Sequence, residues 1–220
     1  MTDATRTIAV IGGTGGEGGG LALRFAHAGL KVVIGSRDAA RAEAAAASIN
    51  ARLGSTNASG ADNVAAAQAA DIVLMTVPYA GQQATALPLA PYLKDKILID
   101  ATVPLMPPKV GRVQLPEGGS AVANLQALLG ADVKVVAAFQ SVSAHHLNEL
   151  DHHIECDVLV CGDDTPACET VIELAKSIGL RGIYAGPICN AAAVEALTSV
   201  LITINRRYKA SGSGIRITGI

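Results

Sequence analysis

The stretch Ile8–Arg37, IAVIGGTGGEGGGLALRFAHAGLKVVIGSR, decides the fold of this 220-residue chain. The apolar run at its start ends in glycines, and Gly13, Gly15 and Gly18 have the spacing G-x-G-x-x-G. A helical pattern rich in alanine and leucine follows, and then a second apolar run, Val32–Ile34. This order of strand, tight turn, helix and strand is typical of a βαβ unit that binds a dinucleotide. Glycines let the backbone turn sharply and approach the pyrophosphate, which lies at the positive end of the helix.

The rest of the chain indicates an α/β fold. Strand-like and helix-like segments alternate as far as residue 140, which predicts a mostly parallel sheet with right-handed crossovers. We therefore expect a Rossmann-type doubly wound parallel sheet in residues 1–140, the dinucleotide-binding domain. A smaller C-terminal α/β cap in residues 141–220 would hold the second ligand. We also expect a helix at Gly81–Leu87 that is broken at Pro88, and a final strand at Ile215–Thr218.

Composition excludes several classes of partner. The formal net charge is −2, which predicts no strong electrostatic field for nucleic acid or an anionic membrane. No apolar run reaches the roughly 18 residues of a membrane span, and the polar segment Met1–Arg6 does not resemble a signal peptide. We therefore expect a cytoplasmic protein. The four cysteines fit no common zinc spacing and are expected to be small buried side chains in a reducing compartment.

The end of the second predicted strand indicates which dinucleotide binds. An NAD site usually has a carboxylate here, whereas this chain has Ser36 and Arg37, and Asp38 is better placed as a helix cap. Ser36 is suited to hydrogen-bond a 2′-phosphate, and the guanidinium of Arg37 to pair with it. Arg41, one helical turn later, would add positive charge. The sequence therefore favours NADP over NAD.

Candidate residues for a second ligand follow other predicted strands, because ligands of open α/β sheets bind beyond the carboxyl ends of strands. Tyr79 is either a flank for the nicotinamide or a surface tyrosine. Gln140 and Ser141 either hydrogen-bond a carboxamide or a second ring, or cap their own loop. No catalytic triad, P-loop or carboxylate pair stands out, which suits a hydride transfer that needs orientation and exclusion of water.

Four histidines form the single histidine cluster of the sequence. No nearby cysteine or carboxylate completes an obvious set of metal ligands, so we predict no metal site. We interpret the cluster as part of a loop lining the active site, with His145 as a residue that touches substrate. The four are His145, His146, His152 and His153.

Several motifs together resemble those of the NADPH-dependent reductases of coenzyme F420, a 5-deazaflavin. The resemblance covers nearly the whole chain in the same order, and the later segments are more specific than the glycine-rich one. Family members often have a histidine where Gln140 follows its strand. The matching segments are Ile11–Gly20, Val33–Arg37, Thr76–Tyr79, Asp157–Asp164, Gly179–Leu197 and Asn205–Lys209.

The resemblance implies hydride transfer between NADP(H) and coenzyme F420 in a cleft between two domains, and a homodimer formed near the C-terminal helix. The pyrophosphate would be wrapped by Gly13, Thr14, Gly15, Gly16 and Glu17. The 2′-phosphate would be held by Ser36 and Arg37. The nicotinamide would be lined by Val77, Pro78 and Tyr79. The pocket would be closed by Gly186, Pro187 and Asn190.

Two other functions stay open at this stage. The same NADPH site could serve a reductase of a flavin, a pterin-type cofactor or a metal chelate. Alternatively, the chain could be an NADP-binding regulatory module without catalysis.

Overall fold

A computed structural model describes residues 6–220, so Met1–Thr5 of the polar N-terminal segment lie outside the described residues. A six-stranded sheet forms the centre of the fold, in the order β3-β2-β1-β4-β5-β6, and every neighbouring pair is parallel. A second parallel sheet pairs β7 with β8. This architecture confirms the predicted Rossmann-type α/β fold. The strands are β1 Thr7–Ile11, β2 Lys31–Ser36, β3 Ala58–Asp62, β4 Ile72–Met75, β5 Ile97–Asp100, β6 Lys134–Ala137, β7 Asp157–Val160 and β8 Arg181–Tyr184.

Helices cover both faces of the large sheet, and this explains why the central strands are nearly continuous apolar runs. All four residues of β4 are buried, as are four of the five residues of β1. Two hydrophobic clusters, one on each face, contain the buried side chains of these strands. The helices are α1 Gly16–His27, α2 Ala39–Leu53, α3 Asn63–Ala69, α4 Gln82–Leu89, α5 Ala121–Leu129, α6 Ala144–Leu147, α7 Thr165–Ser177 and α8 Ala191–Tyr208.

The small sheet is joined to the large one at the end of β6. The backbone groups of Ala137 and Cys161 exchange two hydrogen bonds of 2.8 and 3.0 Å as an antiparallel bridge. Phe139 packs edge-to-face on Phe25 of α1, with ring centroids 6.3 Å apart. One hydrophobic cluster therefore runs from β1 and α1 into β7 and α7. A domain boundary at residue 140 stays a prediction.

Three local predictions are wrong. Residues Ile215–Thr218 form no strand, because side chains supply most of the partners there: the N–H groups of Ile215 and Ile217 donate to Cys156 Sγ and Asp157 Oδ2. The fourth helix continues through Pro88 to Leu89, since a proline in the last turn removes a single N–H donor. Cys189 is exposed, whereas the other three cysteines are buried.

Within residues 6–220, one helical segment is long and apolar enough to cross a membrane on length and composition alone. It is Ile188–Tyr208, with a mean hydropathy of 1.5 over its 18-residue window, one third of which is buried. The apolar pattern of the sequence predicts no run of that length. The segment includes the buried carboxyl of Glu195, which accepts hydrogen bonds from the first residues of α5.

The packing of α2 on β3 depends on a glycine. A Cβ built on Gly60 would collide with the backbone of Ala42 and Glu43 in α2. We predict that Gly60→Ala lowers the free energy of unfolding by about 1–3 kcal/mol, because neither backbone can move aside without strain. Urea unfolding measures the change. Gly81→Ala is the control, since its Cβ would meet no atom within 4 Å. Equal stability of the two variants would contradict the close contact.

Candidate active site

The carboxyl ends of the parallel strands meet at one edge of the large sheet. The strand order reverses between β1 and β4, since β2 follows β1 on one side and β5 follows β4 on the other. Such a switch point opens the crevice in which α/β proteins bind their ligands. The glycine turn after β1, the segment Thr76–Tyr79 after β4 and the loop after β6 all lie at this edge.

The glycine turn has the geometry that a dinucleotide needs. Gly12 adopts a φ of +86°, and its N–H donates to the carbonyl of Gly35 at 3.1 Å. A Cβ on Gly13 would lie 2.9 Å from the carbonyl oxygen of Val10, and one on Gly18 would collide with Thr76 Oγ1. A Cβ on Gly16, by contrast, would meet nothing within 4 Å. The turn is therefore closed towards the sheet and open outward, where a pyrophosphate would meet the first turn of α1. Sequence reasoning missed the role of Gly12.

The predicted 2′-phosphate residues lie together at the end of β2. The side chain of Asp38 accepts hydrogen bonds from the N–H groups of Ala40 and Arg41, so it caps α2 as expected. Ser36 Oγ accepts from the N–H of Asp38 at 3.2 Å. Arg37 and Arg41 are exposed, and no carboxylate in residues 6–220 forms an ion pair with either. Both guanidinium groups are therefore available to an anionic ligand.

Burial raises the pKa of two acidic side chains at this edge, Glu17 and Asp100. Burial raises the pKa of Glu17 from 4.5 to about 8, and the nearby charge of Asp100 adds to the shift. Burial also raises the pKa of Asp100, although hydrogen bonds from Thr102 and Gln82 oppose the shift. A neutral Glu17 explains how a carboxyl group can occupy the first turn of a helix that would hold a pyrophosphate. No feature of the sequence indicates this protonation.

The loop after β6 carries unpaired polar atoms. Phe139, which precedes Gln140, has a φ of +76°, a conformation that costs an ordinary side chain energy and often marks a functional site. Gln140 and Ser141 are both more than nine-tenths buried. Gln140 donates through Nε2 to the carbonyl of Asp100 at 2.9 Å, but its Oε1 and the Oγ of Ser141 have no partner in residues 6–220. Such orphaned atoms cost about 1–3 kcal/mol each, which a bound ligand would offset.

The remaining predicted residues are spread around this centre. Val77 and Tyr79 are partly buried and Pro78 is exposed, all directly after β4. His145 is exposed, with Nε2 3.4 Å from a carboxylate oxygen of Glu149. Asn190 is also exposed and donates to the carbonyl of Ala185 at 2.8 Å. The contacts of His145 and Asn190 link neither of them to the unpaired atoms after β6.

Sequence reasoning missed a buried polar network behind the site. Asp100 Oδ2 accepts from Gln82 Nε2 at 2.6 Å, and Gln82 also donates to the carbonyl of Ala121. Glu195 of α8 accepts from Ser120 Oγ at 2.6 Å and from the N–H of Ala121 at 2.8 Å. The one sequence signal of this network is Glu195, an isolated glutamate in the apolar pattern of α8. Among residues 6–220, no group of three or more His, Cys, Asp or Glu side chains is arranged to hold a metal ion.

Comparisons with known proteins agree with this geometry. A family model described as "NADP oxidoreductase coenzyme F420-dependent" matches residues 7–104. The chain is 43% identical to the F420-dependent NADP reductase of Methanothermobacter thermautotrophicus, over 97% of this chain and 95% of that protein. It is 40% identical to the F420-dependent NADP reductase of Methanocaldococcus jannaschii, over 97% and 98%. A crystal structure from Arthrobacter sp. fb24, assigned as an F420-dependent NADP reductase, superposes with a TM-score of 0.80 at 26% identity, over 97% of this chain and all of that one.

The protonation of Glu17 predicts how stability depends on pH. Its pKa of about 8 exceeds the ordinary 4.5, so the folded chain binds more protons than the unfolded chain between these values. The free energy of unfolding therefore falls as pH rises from 4.5 to 8, and we expect Glu17→Gln to remove about 1–3 kcal/mol of that fall. Urea unfolding at pH 5 and pH 8 measures it. Glu173→Gln, at an exposed position on α7, is the control. Equal pH slopes for wild type and Glu17→Gln would contradict a neutral Glu17.

Proposed function

Because the chain belongs to the family of F420-dependent NADP reductases, we propose that it is an oxidoreductase that transfers a hydride between NADP(H) and coenzyme F420. The observation that carries this function is the identity of about 40% with named reductases over almost the full length of each chain. That identity spans the glycine turn and also the loop after β6, where the second substrate would bind.

The NADP(H) half of the site rests on three features of the described chain. The open side of the glycine turn would hold the pyrophosphate through the backbone N–H groups of Thr14 and Gly16, whereas the N–H of Gly15 donates to the carbonyl of Gly12. Glu17, neutral at pH 7, adds no repulsion there. The exposed guanidinium groups of Arg37 and Arg41 would pair with the 2′-phosphate, beside the hydroxyl of Ser36.

The hydride-transfer half lies between β4 and β6. When bound, the nicotinamide supplies the hydride and the deazaflavin accepts it, with NADPH, H⁺ and F420 giving NADP⁺ and reduced F420. Val77, Pro78 and Tyr79 would line the nicotinamide. The orphaned Oε1 of Gln140 would accept a hydrogen bond from the deazaflavin ring or the carboxamide, and the hydroxyl of Ser141 would donate one to either group. The chain itself orients the two rings and excludes water.

Coenzyme binding and acceptor binding belong to different parts of the chain in this proposal. We propose that residues 1–140 form the NADP-binding domain, and that residues 141–220 bind the acceptor and dimerise. We also infer a cytoplasmic location. We infer no nucleic-acid or membrane partner, because the net charge is −2.

One assay tests the function against its alternatives. The protein is mixed with NADPH and, in separate reactions, with F420, FMN and a ferric chelate, and NADPH oxidation is followed spectrophotometrically. We expect turnover with F420. Turnover with FMN or with the ferric chelate, but not with F420, would show that F420 is not the acceptor. NADPH binding without turnover of any acceptor would indicate a regulatory module.

The coenzyme preference is tested at Arg37. We predict that Arg37→Ala weakens NADPH binding by about 1–3 kcal/mol, because one charge-assisted pair with the 2′-phosphate is lost. NADH binding should change little, since NADH lacks that phosphate. Fluorescence titration of both coenzymes measures the two affinities, and Lys31→Ala, an exposed cation at the other end of β2, is the control. Wild-type protein that binds NADH more tightly than NADPH would refute the assignment.

An exposed apolar surface supports a homodimer. Val200, Ile204 and Tyr208 are exposed and spaced four residues apart, so they form a stripe on α8. The loop after β5 adds exposed Val113 and Leu115, and it is tied to α8 by a 2.9 Å hydrogen bond from Thr203 Oγ1 to the carbonyl of Gly111. A continuous apolar surface on two joined elements is typical of an interface between subunits. We propose that a second copy of this chain covers it.

A single charge on that stripe should separate the subunits. We predict that Ile204→Glu converts the dimer to a monomer, because it buries an unpaired carboxylate in an apolar interface. Light scattering coupled to gel filtration measures the mass. Leu87→Glu places the same charge on an exposed leucine of α4 and is the control. A monomeric wild-type protein, or a dimeric Ile204→Glu variant, would contradict this interface.

A further inference from the structure

A cavity of about 440 Å³ lies beside the acceptor loop, which is the segment 138–156 between β6 and β7, and outside the proposed NADP(H) site. It is bounded by the segment between β6 and β7 and by the C-terminal segment after α8. The bond from Cys156 Sγ to the carbonyl of Ser141, 3.4 Å long, connects its wall to the loop with the orphaned atoms. The polar side chains that line the cavity are Ser143, His146, His152, His153, Glu155 and Ser213.

Stacked imidazoles dominate this lining. The rings of His146 and His152 lie with their centroids 4.2 Å apart and their planes inclined by 34°. His146 Nε2 is 3.3 Å from Ser211 Oγ. Two imidazoles at this separation repel each other when both are protonated, and the repulsion is relieved when an anion binds beside them.

A buried cation on α1 also favours an anion in this cavity. Arg24, on α1, is a buried residue, and its guanidinium donates to four carbonyl oxygens of this segment. No carboxylate in residues 6–220 forms an ion pair with it. Among the described residues its positive charge is therefore met by carbonyl dipoles and not by a carboxylate, next to the backbone of His146 and His152. The four carbonyls belong to His146, Leu147, Glu149 and His152, at 2.7–3.1 Å.

We propose that this histidine cavity binds a phosphate or carboxylate group, and that the group is the charged side chain of the deazaflavin substrate. The second half rests on the proposed function. The imidazoles of His146, His152 and His153 would pair with the anion, and the hydroxyls of Ser143 and Ser213 would donate to it. The contact between Cys156 and Ser141 places the cavity next to the orphaned atoms, so that a side chain leaving the ring site would extend towards it.

Binding in this cavity should take up protons. The pKa of His146 is lowered by burial, by His152 and His145, and by Arg24, whereas Glu149 raises it. The cavity also contains His153, Glu155 and the thiol of Cys156, which face the same space. A bound anion favours the imidazolium and raises that pKa. Affinity for the anion therefore increases as pH falls, and we expect it to be about tenfold higher at pH 6 than at pH 8.

Inorganic phosphate tests the anion site without turnover. The protein is first saturated with NADP⁺, so that phosphate cannot occupy the coenzyme site, and the imidazole resonances are followed by NMR over pH 5–8. We expect phosphate to raise the apparent pKa of two histidines in the wild type, and not in the double variant His146→Gln/His152→Gln. His27→Gln, on the exposed end of α1, is the control. No shift in the wild type overturns the site, whether or not the double variant folds.

Kinetics with two acceptors identify the source of the anion. We expect the double variant to raise KM for F420 about tenfold with kcat unchanged. KM for a deazaflavin whose side chain ends before the first phosphate should not change. If phosphate binds but KM for F420 is unaffected, the cavity takes a free anion and the assignment to the substrate is overturned. If F420 is not turned over at all, the proposed function fails, while the phosphate titration still decides the anion site.

Discussion

The buried carboxyl of Asp100 is the constraint on which the rest of the site depends. It is fully buried at the end of β5, and it binds Gln82 and Thr102 through its side chain and Gln140 through its backbone carbonyl. A buried acid is stable only when its hydrogen bonds are satisfied, so these partners are held in one arrangement. The same carboxyl helps to keep Glu17 protonated. The glycine turn and the acceptor loop are thus coupled through a single residue that touches neither ligand in the proposed function.

The acceptor loop is also fixed from outside, by groups far apart in the sequence. Arg24 holds the backbone of residues 146–152 against α1, and Asn148 donates to the carbonyl of Gly16. Asp157 binds Arg181 with two bonds of 2.8 and 2.6 Å, and it anchors the C-terminal segment through the N–H of Ile217. The first turn of the coenzyme helix and the last residues of the chain therefore position the same loop. A segment without regular structure can hold a precise geometry when it is tied at both sides in this way.

The sequence predicted the local geometry around the glycine turn and the end of β2 well, and the contacts of the segment after β6 poorly, and the reason is physical. A glycine turn, a capped helix and the end of a strand are local, so Gly13, Gly18, Ser36 and Asp38 could be assigned from spacing alone. The segment after β6 depends on contacts between residues more than 100 positions apart, such as Arg24 with His152. The positive φ of Phe139 and the orphaned atoms of Gln140 and Ser141 also have no local sequence signal. The final strand was predicted wrongly because side chains of Cys156 and Asp157 replace a ladder partner.

The distribution of charge explains how a chain with a net charge of −2 can serve two anionic ligands. Carboxyl groups at the edge of the sheet are neutralised by burial, as in Glu17, or shielded by donors, as in Glu195. Three arginines form no ion pair with a carboxylate of residues 6–220, namely Arg37 and Arg41 at the predicted phosphate end and Arg24 behind the histidines. Electrostatic attraction at a site depends on its nearby, poorly screened charges more than on the total. Neutral carboxyl groups and arginines without a carboxylate partner can therefore attract polyanions locally. The chain as a whole need not be basic.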